Sequence, residues 1–484
     1  MEEIKKLNPT LMWGFFAELT QIPRPSGFLG PIRAYILDFG NKLGLVTKTD
    51  QIGNIVICKP ATPGMEGRPV VVLQSHLDMV PQKNSNVIHD FQKDPIRARI
   101  VDGWVKATDT TLGADNGIGV AATMAVLASN ELKHGPIEAL FTVDEETGMY
   151  GAFALKPDFF DGRILINMDS EEEGSLFVGC AGGINFNAEF QFDHLVPVPE
   201  GDIAVMLELN GLKGGHSGVD ILLGRANANK LLFRFLKQAV AELEVRIATF
   251  NGGNLRNAIP REANAVVTIP EEGLQELADA VADYQDQLNM EFEGIENPLT
   301  FALKVVEAPI GLLPEEVQDD VVNAIVAAHD GVYRMIPSMA DVVETSSNLA
   351  ICEVEKNVVR CRFLIRSSAE SMKETLVSTL QSLFALAGAK ITTDGDYPGW
   401  SPNLNAPMLK IMSEIWSKEY GQTPRVNVIH AGLECGIIQD AVGPMDMISF
   451  GPNLIFPHSP DEGVEIASVQ RFWDFLVKTL EAVR

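Results

Sequence analysis

Between residues 54 and 169, short apolar, β-branched runs alternate with helix-like segments, and few architectures accept that alternation. "NIVICKP" and "RPVVVLQSHLDMV" precede the Ala-rich "GIGVAATMAVLASN", which is followed by "IEALFTV", a short helical "MYGAFALK" and "RILINMD". Strands apolar on both faces must be covered on both faces, and intervening helices supply the cover and the crossovers of a mostly parallel sheet. A similar unit returns late in the sequence, with "NAPMLKIMSEIWSKEYG" as a helix, "MDMISFGP" as a strand and "VQRFWDFLVKTLEAVR" as an amphipathic helix. The expected class is α/β.

Between roughly 185 and 395 the texture changes. "INFNAEFQF", "DIAVMLELNGL", "NAVVTIP", "LTFALKVVEA" and "NVVRCRFLIRSS" alternate apolar and polar residues, as half-exposed antiparallel strands do. Helices such as "ANANKLLFRFLKQAVAEL" and "GLQELADAVADYQDQLNM" lie between them. The expectation is an α+β domain at 185–395, large enough for two strand-helix units in tandem, inserted into a domain made of 1–184 and 396–484. "ITTDGDYPGWSPN", rich in Gly, Pro and Asp, is read as the return crossing.

With 65 acidic against 38 basic residues the formal charge is −27, which disfavours nucleic acid and anionic membranes as partners. No stretch is long and apolar enough to span a membrane, and "MEEIKKLNPTLMWGFFAELTQIP" lacks the order of a signal peptide, reading instead as an amphipathic helix. Cys58, Cys180, Cys352, Cys361 and Cys435 are scattered without CxxC spacing, which suits a reduced cytoplasm.

The ends of the apolar strands carry the chemistry. "SHLDMV" places His76 and Asp78 on one side of a strand, "GADNGIGVA" places Asp115 in a Gly-rich turn opening a helix, and "VDEETGMYGA" supplies Glu145 and Glu146. "NMDSEEEG" ends a strand in Asp169, and "FPHSPDE" offers His458. Each alone has an ordinary account: a structural histidine, an Asx-turn or N-cap aspartate, a solvated turn. Ligands gather at the carboxyl ends of parallel strands, however, so residues distant in sequence converge there. Imidazoles and carboxylates without cysteine suit Zn2+, with Mn2+ or Co2+ as alternatives, and a bridging carboxylate would make a two-metal hydrolase site.

In that order the motifs resemble those of the M20 family of di-zinc metallopeptidases, and more closely its aminoacyl-histidine dipeptidase branch, together with "KGGHSGVDI", "NGGNLRNAIPREA", "HAGLECG" and "YPGW". The resemblance implies a zinc-peptidase catalytic domain interrupted by an α+β lid. It implies that His76 and Asp169 bind one zinc, Glu146 and His458 the other, and that Asp115 bridges, with a cis peptide bond after it. Asp78 would hold the ring of His76. Glu145, beside a ligand and not needed for ligation, is the expected general base. The resemblance also implies that His216 donates to the oxyanion, often from a partner subunit, so that either a homodimer through the lid or an enlarged insert completes the site. Asn257 and Arg366 occupy positions associated with the substrate backbone and carboxylate, and Glu434 and His430 are candidates for its amine or side chain. The expected activity is hydrolysis of unblocked dipeptides, Xaa-His and β-Ala-His included. Tripeptidase, carboxypeptidase or N-acyl amino acid deacylase activity, or metal or peptide binding without catalysis, are the alternatives.

Overall fold

The computed structural model describes residues 2–484. It divides into two compact units. One runs to Cys180 and resumes over Trp400–Val428 and Leu433–Arg484; the other comprises Ala181–Gly399 with Ile429–Gly432.

The first unit is built on eight strands: β1 (Val46–Thr49), β2 (Ile55–Lys59), β3 (Val71–His76), β4 (Ile137–Thr142), β5 (Ile164–Asn167), β6 (Ser175–Cys180), β7 (Arg425–Ile429) and β8 (Asp446–Ser449). Their spatial order is β1-β2-β4-β3-β5-β8-β6-β7. β4, β3, β5 and β8 run parallel at the centre, and β6 and β7 run parallel at one edge, with Arg425 N–H on Gly174 O and Ala181 N–H on Ile429 O. β1 with β2, β2 with β4 and β6 with β8 pair antiparallel, so the sheet is mixed. The division follows the residues: β3 and β4 are buried at every position, whereas β1 is mostly exposed and needs no cover on a second face.

A separate four-stranded sheet, which the residue pattern did not announce, joins Leu454–Ile455, Gly463–Glu465, Trp104–Ala107 and Ala98–Val101. Strands of two to four residues are too short to display a period. This sheet closes the loop between Leu454 and Gly463 that carries His458.

The second unit is a nine-stranded sheet that falls into two similar halves. Thr300–Val305, Asp202–Asn210, Ala263–Pro270 and Arg246–Gly252 form one; Val343–Glu355, Val358–Ser367, Gly182–Gln191 and Lys390–Tyr397 form the other. They meet through the antiparallel pairs Asn251↔Glu353 and Gly252↔Cys352, and Gly331–Met335 adds to Val343–Glu355. One core serves both halves, with Phe233, Phe250 and Phe301 from one side and Phe186, Phe363 and Phe384 from the other. The first part of "ITTDGDYPGWSPN" is an edge strand, Lys390–Tyr397, and the chain returns to the first unit just after it, between Gly399 and Trp400. The strand's side chains stay largely exposed, so polar residues and Gly are tolerated where a central strand would exclude them.

Candidate active site

The strand ends of the first unit draw the expected residues together. His76 is the last residue of β3, and its Nε2 lies 3.0 Å from Asp115 Oδ1 and 3.2 Å from Asp169 Oδ1. The other oxygen of Asp115, Oδ2, lies 3.1 Å from His458 Nε2, which in turn is 3.0 Å from Glu146 Oε2. Asp115 therefore sends one oxygen to each of two donor clusters, His76 with Asp169 and His458 with Glu146.

Local structure accounts for each placement. Asp115 and Asn116 depart from helical angles at the start of the Ala114–Ala128 helix, and the bond between them is cis. Gly113 before them has φ 70°, and a Cβ there would sit 2.6 Å from Arg24 Nη2, so only glycine fits. Asn116 Nδ2 donates to Met168 O at 2.8 Å and to Asp169 Oδ1, orienting that carboxylate. His458, half-exposed, has φ 59° within its loop.

Asp78 is fully buried and ties the His76 strand to the "DEETG" turn. It accepts the Ser26 hydroxyl at 2.8 Å and the backbone N–H groups of Glu145 and Glu146 at 3.0 and 3.2 Å, and its Oδ1 is 3.5 Å from His76 Nδ1. Burial alone would raise its pKa; His76, Ser26 and the Glu145 N–H outweigh it and hold the carboxyl below its ordinary range. Both backbone N–H groups of the Glu-Glu pair thus face one carboxylate, and the turn leaves both side chains near His76.

Burial raises Glu145 well above the usual carboxylate range, with Asp169, Glu434 and Glu146 adding to it. His458 is raised too, to about 11, by hydrogen bonds that its imidazole donates to Asp115 and Glu146. Asp78, Asp115, Glu145, Glu146 and Asp169 converge here against the imidazoles of His76 and His458, and Glu146 Oε1 is buried without a hydrogen-bond partner. A donor set of N and O atoms with surplus negative charge and an orphaned carboxylate oxygen fits divalent cations.

Two supporting residues were not singled out from the sequence, although both lie in or beside quoted motifs. Arg24, 3% exposed, donates Nη1 to Leu77 O and Asp78 O at 3.1 and 2.9 Å, and Nη2 to Gly113 O. Glu462, four residues after His458, accepts the N–H groups of Leu112, Gly113, Ala114 and Asp115. It therefore fastens the Asp115 turn to the His458 loop.

The remaining expected residues fall in two places. Glu434 belongs to the first unit and is 0% exposed, so it offers no surface for direct substrate contact. Its Oε2 accepts Gln74 Nε2 at 2.6 Å and Thr142 Oγ1 at 2.7 Å. Within the second unit, Arg366 donates to Tyr397 OH at 3.0 Å and lies 3.4 Å from Ser217 Oγ and 3.5 Å from His216 Nε2. Asn257 exposes its side chain, while its carbonyl accepts Ser217 N–H at 2.8 Å. His430 contacts Ser346 Oγ at 2.7 Å and is nearly buried. His216 Nδ1 accepts the N–H groups of Gly218 and Val219 at 3.1 and 3.0 Å, while burial and Arg366 lower its pKa to about 4. A neutral imidazole whose Nδ1 accepts must carry its proton on Nε2, so His216 presents an N–H donor.

A sheet with a parallel centre whose strand ends gather a shared carboxylate and two N/O donor clusters defines a metallohydrolase class of α/β protein. Residues 72–482 match peptidase family M20/M25/M40, and the chain belongs to that family. The cytosol non-specific dipeptidase of Escherichia coli K12 is 45% identical over 483 residues, spanning 100% of this chain and 99% of that one. The aminoacylhistidine dipeptidase of Vibrio alginolyticus superposes with TM-score 0.92 at 46% identity, covering 100% of this chain and 99% of its own. A tripeptidase of Staphylococcus aureus shares the fold at TM-score 0.57 and 18% identity, covering 99% of each chain. Among the described residues no helix is long and apolar enough to cross a membrane.

Proposed function

We propose that this chain is a two-metal dipeptidase that hydrolyses unblocked dipeptides, with C-terminal histidine among the accepted residues. The observation that carries it is the division of Asp115 between two donor clusters, 3.0 Å from His76 and 3.1 Å from His458. His76, Asp169 and Asp115 would hold one divalent ion, and Asp115, Glu146 and His458 the other. Bound there, zinc ions supply Lewis acidity toward the scissile carbonyl and acidify water near neutral pH.

The chain's own residues supply the rest. Glu145, beside Glu146 but free of the Asp115 clusters, takes a proton from the attacking water and returns it to the leaving amine nitrogen. Asp78 holds His76 and, through two N–H groups, the turn on which Glu145 sits. In the second unit, Arg366 with Tyr397 and Ser217 suits a carboxylate, as a peptide's C-terminal end presents, and the Nε2–H of His216 suits an oxygen that becomes anionic. Dipeptidases of broad and of histidine-directed specificity both stand at 45–46% identity, so preference for histidine is the part of the proposal most open to test. A cytoplasmic location accords with the E. coli relative and with five free cysteines. Assembly into a homodimer through 185–395 belongs to the proposal and is measured by light scattering.

The test is a cleavage panel of β-Ala-His, Ala-His, Ala-Ala, Gly-Gly-Gly and N-acetyl amino acids, on metal-free protein reloaded separately with zinc, manganese or cobalt. Cleavage confined to the tripeptide or the acylated compounds would replace the reading with one of the alternatives. Glu145→Ala should retain both metals and lose turnover by several orders of magnitude; zinc lost along with turnover would mean base and ligand roles are misassigned.

A further inference from the structure

A row of polar side chains crosses the centre of the first unit's sheet just beneath the site. Gln74 of β3 is paired in register with Asn167 of β5, and Asn167 with Ser449 of β8. Thr142, ending β4, is opposite His76. All four, and Glu434, are 0% exposed. Gln74 and Asn167 each stand two residues before an expected metal ligand, His76 and Asp169, on the same side of their strands.

The hydrogen bonds in this row run in one direction. Ser449 Oγ donates to Asn167 Oδ1, Asn167 Nδ2 donates to Gln74 Oε1, and Gln74 Nε2 donates to Glu434 Oε2. Thr142 Oγ1 also donates to Glu434 Oε2, and Asp169 N–H reaches Asn167 Oδ1 at 3.3 Å. Glu434 Oε2 takes the Thr142 hydroxyl as well and serves as an acceptor, so Gln74 turns its NH2 toward Glu434. Its oxygen then faces Asn167, which must present NH2, and the oxygen of Asn167 is left for Ser449 and Asp169. Reversing either amide would put two acceptors or two donors face to face in a buried site.

We propose that Glu434 is a positioning residue: the buried acceptor that sets the orientation of both amides and so holds the strand ends bearing His76 and Asp169 in register. It acts without touching substrate, which replaces the substrate contact expected for it from the sequence. The inference rests on the ligand reading above for its metal readout, but not for its stability readout.

Reversal of the row is the test. In Asn167→Asp a carboxylate faces Gln74 Oε1, so Gln74 must flip and point its oxygen at Glu434. In the double variant Asn167→Asp with Glu434→Gln, the new glutamine can donate to the flipped Gln74, so the two bonds of Gln74 are restored with their direction inverted, Ser449 still donates to the carboxylate that replaces Asn167, and the formal charge is unchanged. Zn2+ affinity of metal-free full-length protein is measured by competition with a chromophoric chelator, and melting temperature is measured on the same samples. Asn167→Asp should weaken zinc at least tenfold, in the range typical of lost outer-shell support, and lower the melting temperature. Glu434→Gln alone, which keeps an acceptor toward Gln74, should stay within about threefold of the parent. The double variant should bind zinc more tightly and melt higher than Asn167→Asp alone. A double variant no better than Asn167→Asp in either readout overturns the proposal. So does Glu434→Gln raising KM tenfold with zinc affinity unchanged, which would make Glu434 a substrate contact. His458→Ala, outside the row, is the control for the ligands. If it binds zinc like the parent, the ligand reading fails while the melting-temperature comparison still decides the row.

Discussion

Replacing Glu462 by glutamine removes one oxygen from a carboxylate that holds the Asp115 turn. Oε2 accepts Leu112 and Gly113 N–H at 2.7 and 2.9 Å; Oε1 accepts Ala114 N–H at 2.7 Å and Asp115 N–H at 3.3 Å. The incoming NH2 cannot accept, and it turns a donor toward two N–H groups. It does least harm on the Oε1 side, where one of the two bonds is long. Leaving a buried N–H without a partner costs about 1–3 kcal/mol, so one full loss and one partial loss come to about 2–4 kcal/mol. Arg24, fully buried, also loses the strongest of the carboxylate charges that support its own, which adds to the cost. We expect about 3–5 kcal/mol in total, a large share of the roughly 5–15 kcal/mol by which a folded domain is stable.

All five tryptophans (Trp13, Trp104, Trp400, Trp416 and Trp473) lie in the first unit, so tryptophan fluorescence during urea unfolding reports on that unit alone. The comparison is made with metal removed, to separate stability from ligation, and zinc affinity is then measured separately. Glu462→Gln should lower the stability of this transition by the stated amount and weaken zinc binding, because Asp115 and His458 lose their common anchor. A change below about 1 kcal/mol would show that water or a shifted turn satisfies the freed N–H groups, and the anchoring argument would be wrong.

Chelation of bound metal should lower the melting point of the same fluorescence transition; an ion held at a hundred times its Kd contributes about 2.7 kcal/mol, and an unchanged melting point would argue against ions at these clusters. His430 predicts a pH effect on the second unit. Burial first, then Arg366 and His216, depress its pKa to about 3, so the unfolded chain binds the proton more readily and stability present above pH 6.5 is lost as pH falls toward 3. His216, depressed to about 4, adds the same sign, each histidine contributing a slope of up to about 1.4 kcal/mol per pH unit. His430→Gln should therefore flatten the decline between pH 6.5 and 4.5 in chemical unfolding followed by circular dichroism, and an unchanged slope would refute the assignment. Gly451→Ala should cost about 3 kcal/mol or more by urea titration, because the new Cβ would fall 1.6 Å from Ser170 O and no rotamer relieves a clash between backbones.

What the sequence discloses is uneven for physical reasons. His76, Asp115, Glu146, Asp169 and His458 stand at strand or turn ends next to strongly patterned apolar runs, so their element and their place at its end follow from local composition. Gln74, Thr142, Asn167 and Ser449 sit inside those same runs and look like lapses in an apolar pattern. Their burial is intelligible only once β3, β4, β5 and β8 are known to be neighbours, which no local period reveals. Arg24 and Glu462 serve partners 53 and more residues away, through backbone groups that every sequence possesses. The crossing near Gly399 follows from its Gly and Pro content, but the edge strand Lys390–Tyr397 that leads into it is hidden, because its Gly and Asp residues are turn formers that a solvent-facing edge also tolerates.

The acidic residues around the site separate by how each carboxylate is satisfied. Glu462 has four backbone N–H groups, and Asp78 has two with a serine hydroxyl. These donors are fixed by the chain, so their charges are met without a cation. Asp115 and Glu146 have no such set for their side chains: their oxygens meet imidazole nitrogens, and Glu146 Oε1 meets nothing. Since His76 and His458 each have one Nε2 to share between two carboxylates, the four contacts at 3.0 to 3.2 Å exceed the protons those atoms can donate. The deficit falls at the two clusters that Asp115 joins, while Asp78 and Glu462 beside them are already satisfied on both oxygens by hydrogen bonds. A divalent cation is therefore drawn to the inner residues in preference to the outer ones, although both belong to the same acidic stretch of surface and strand.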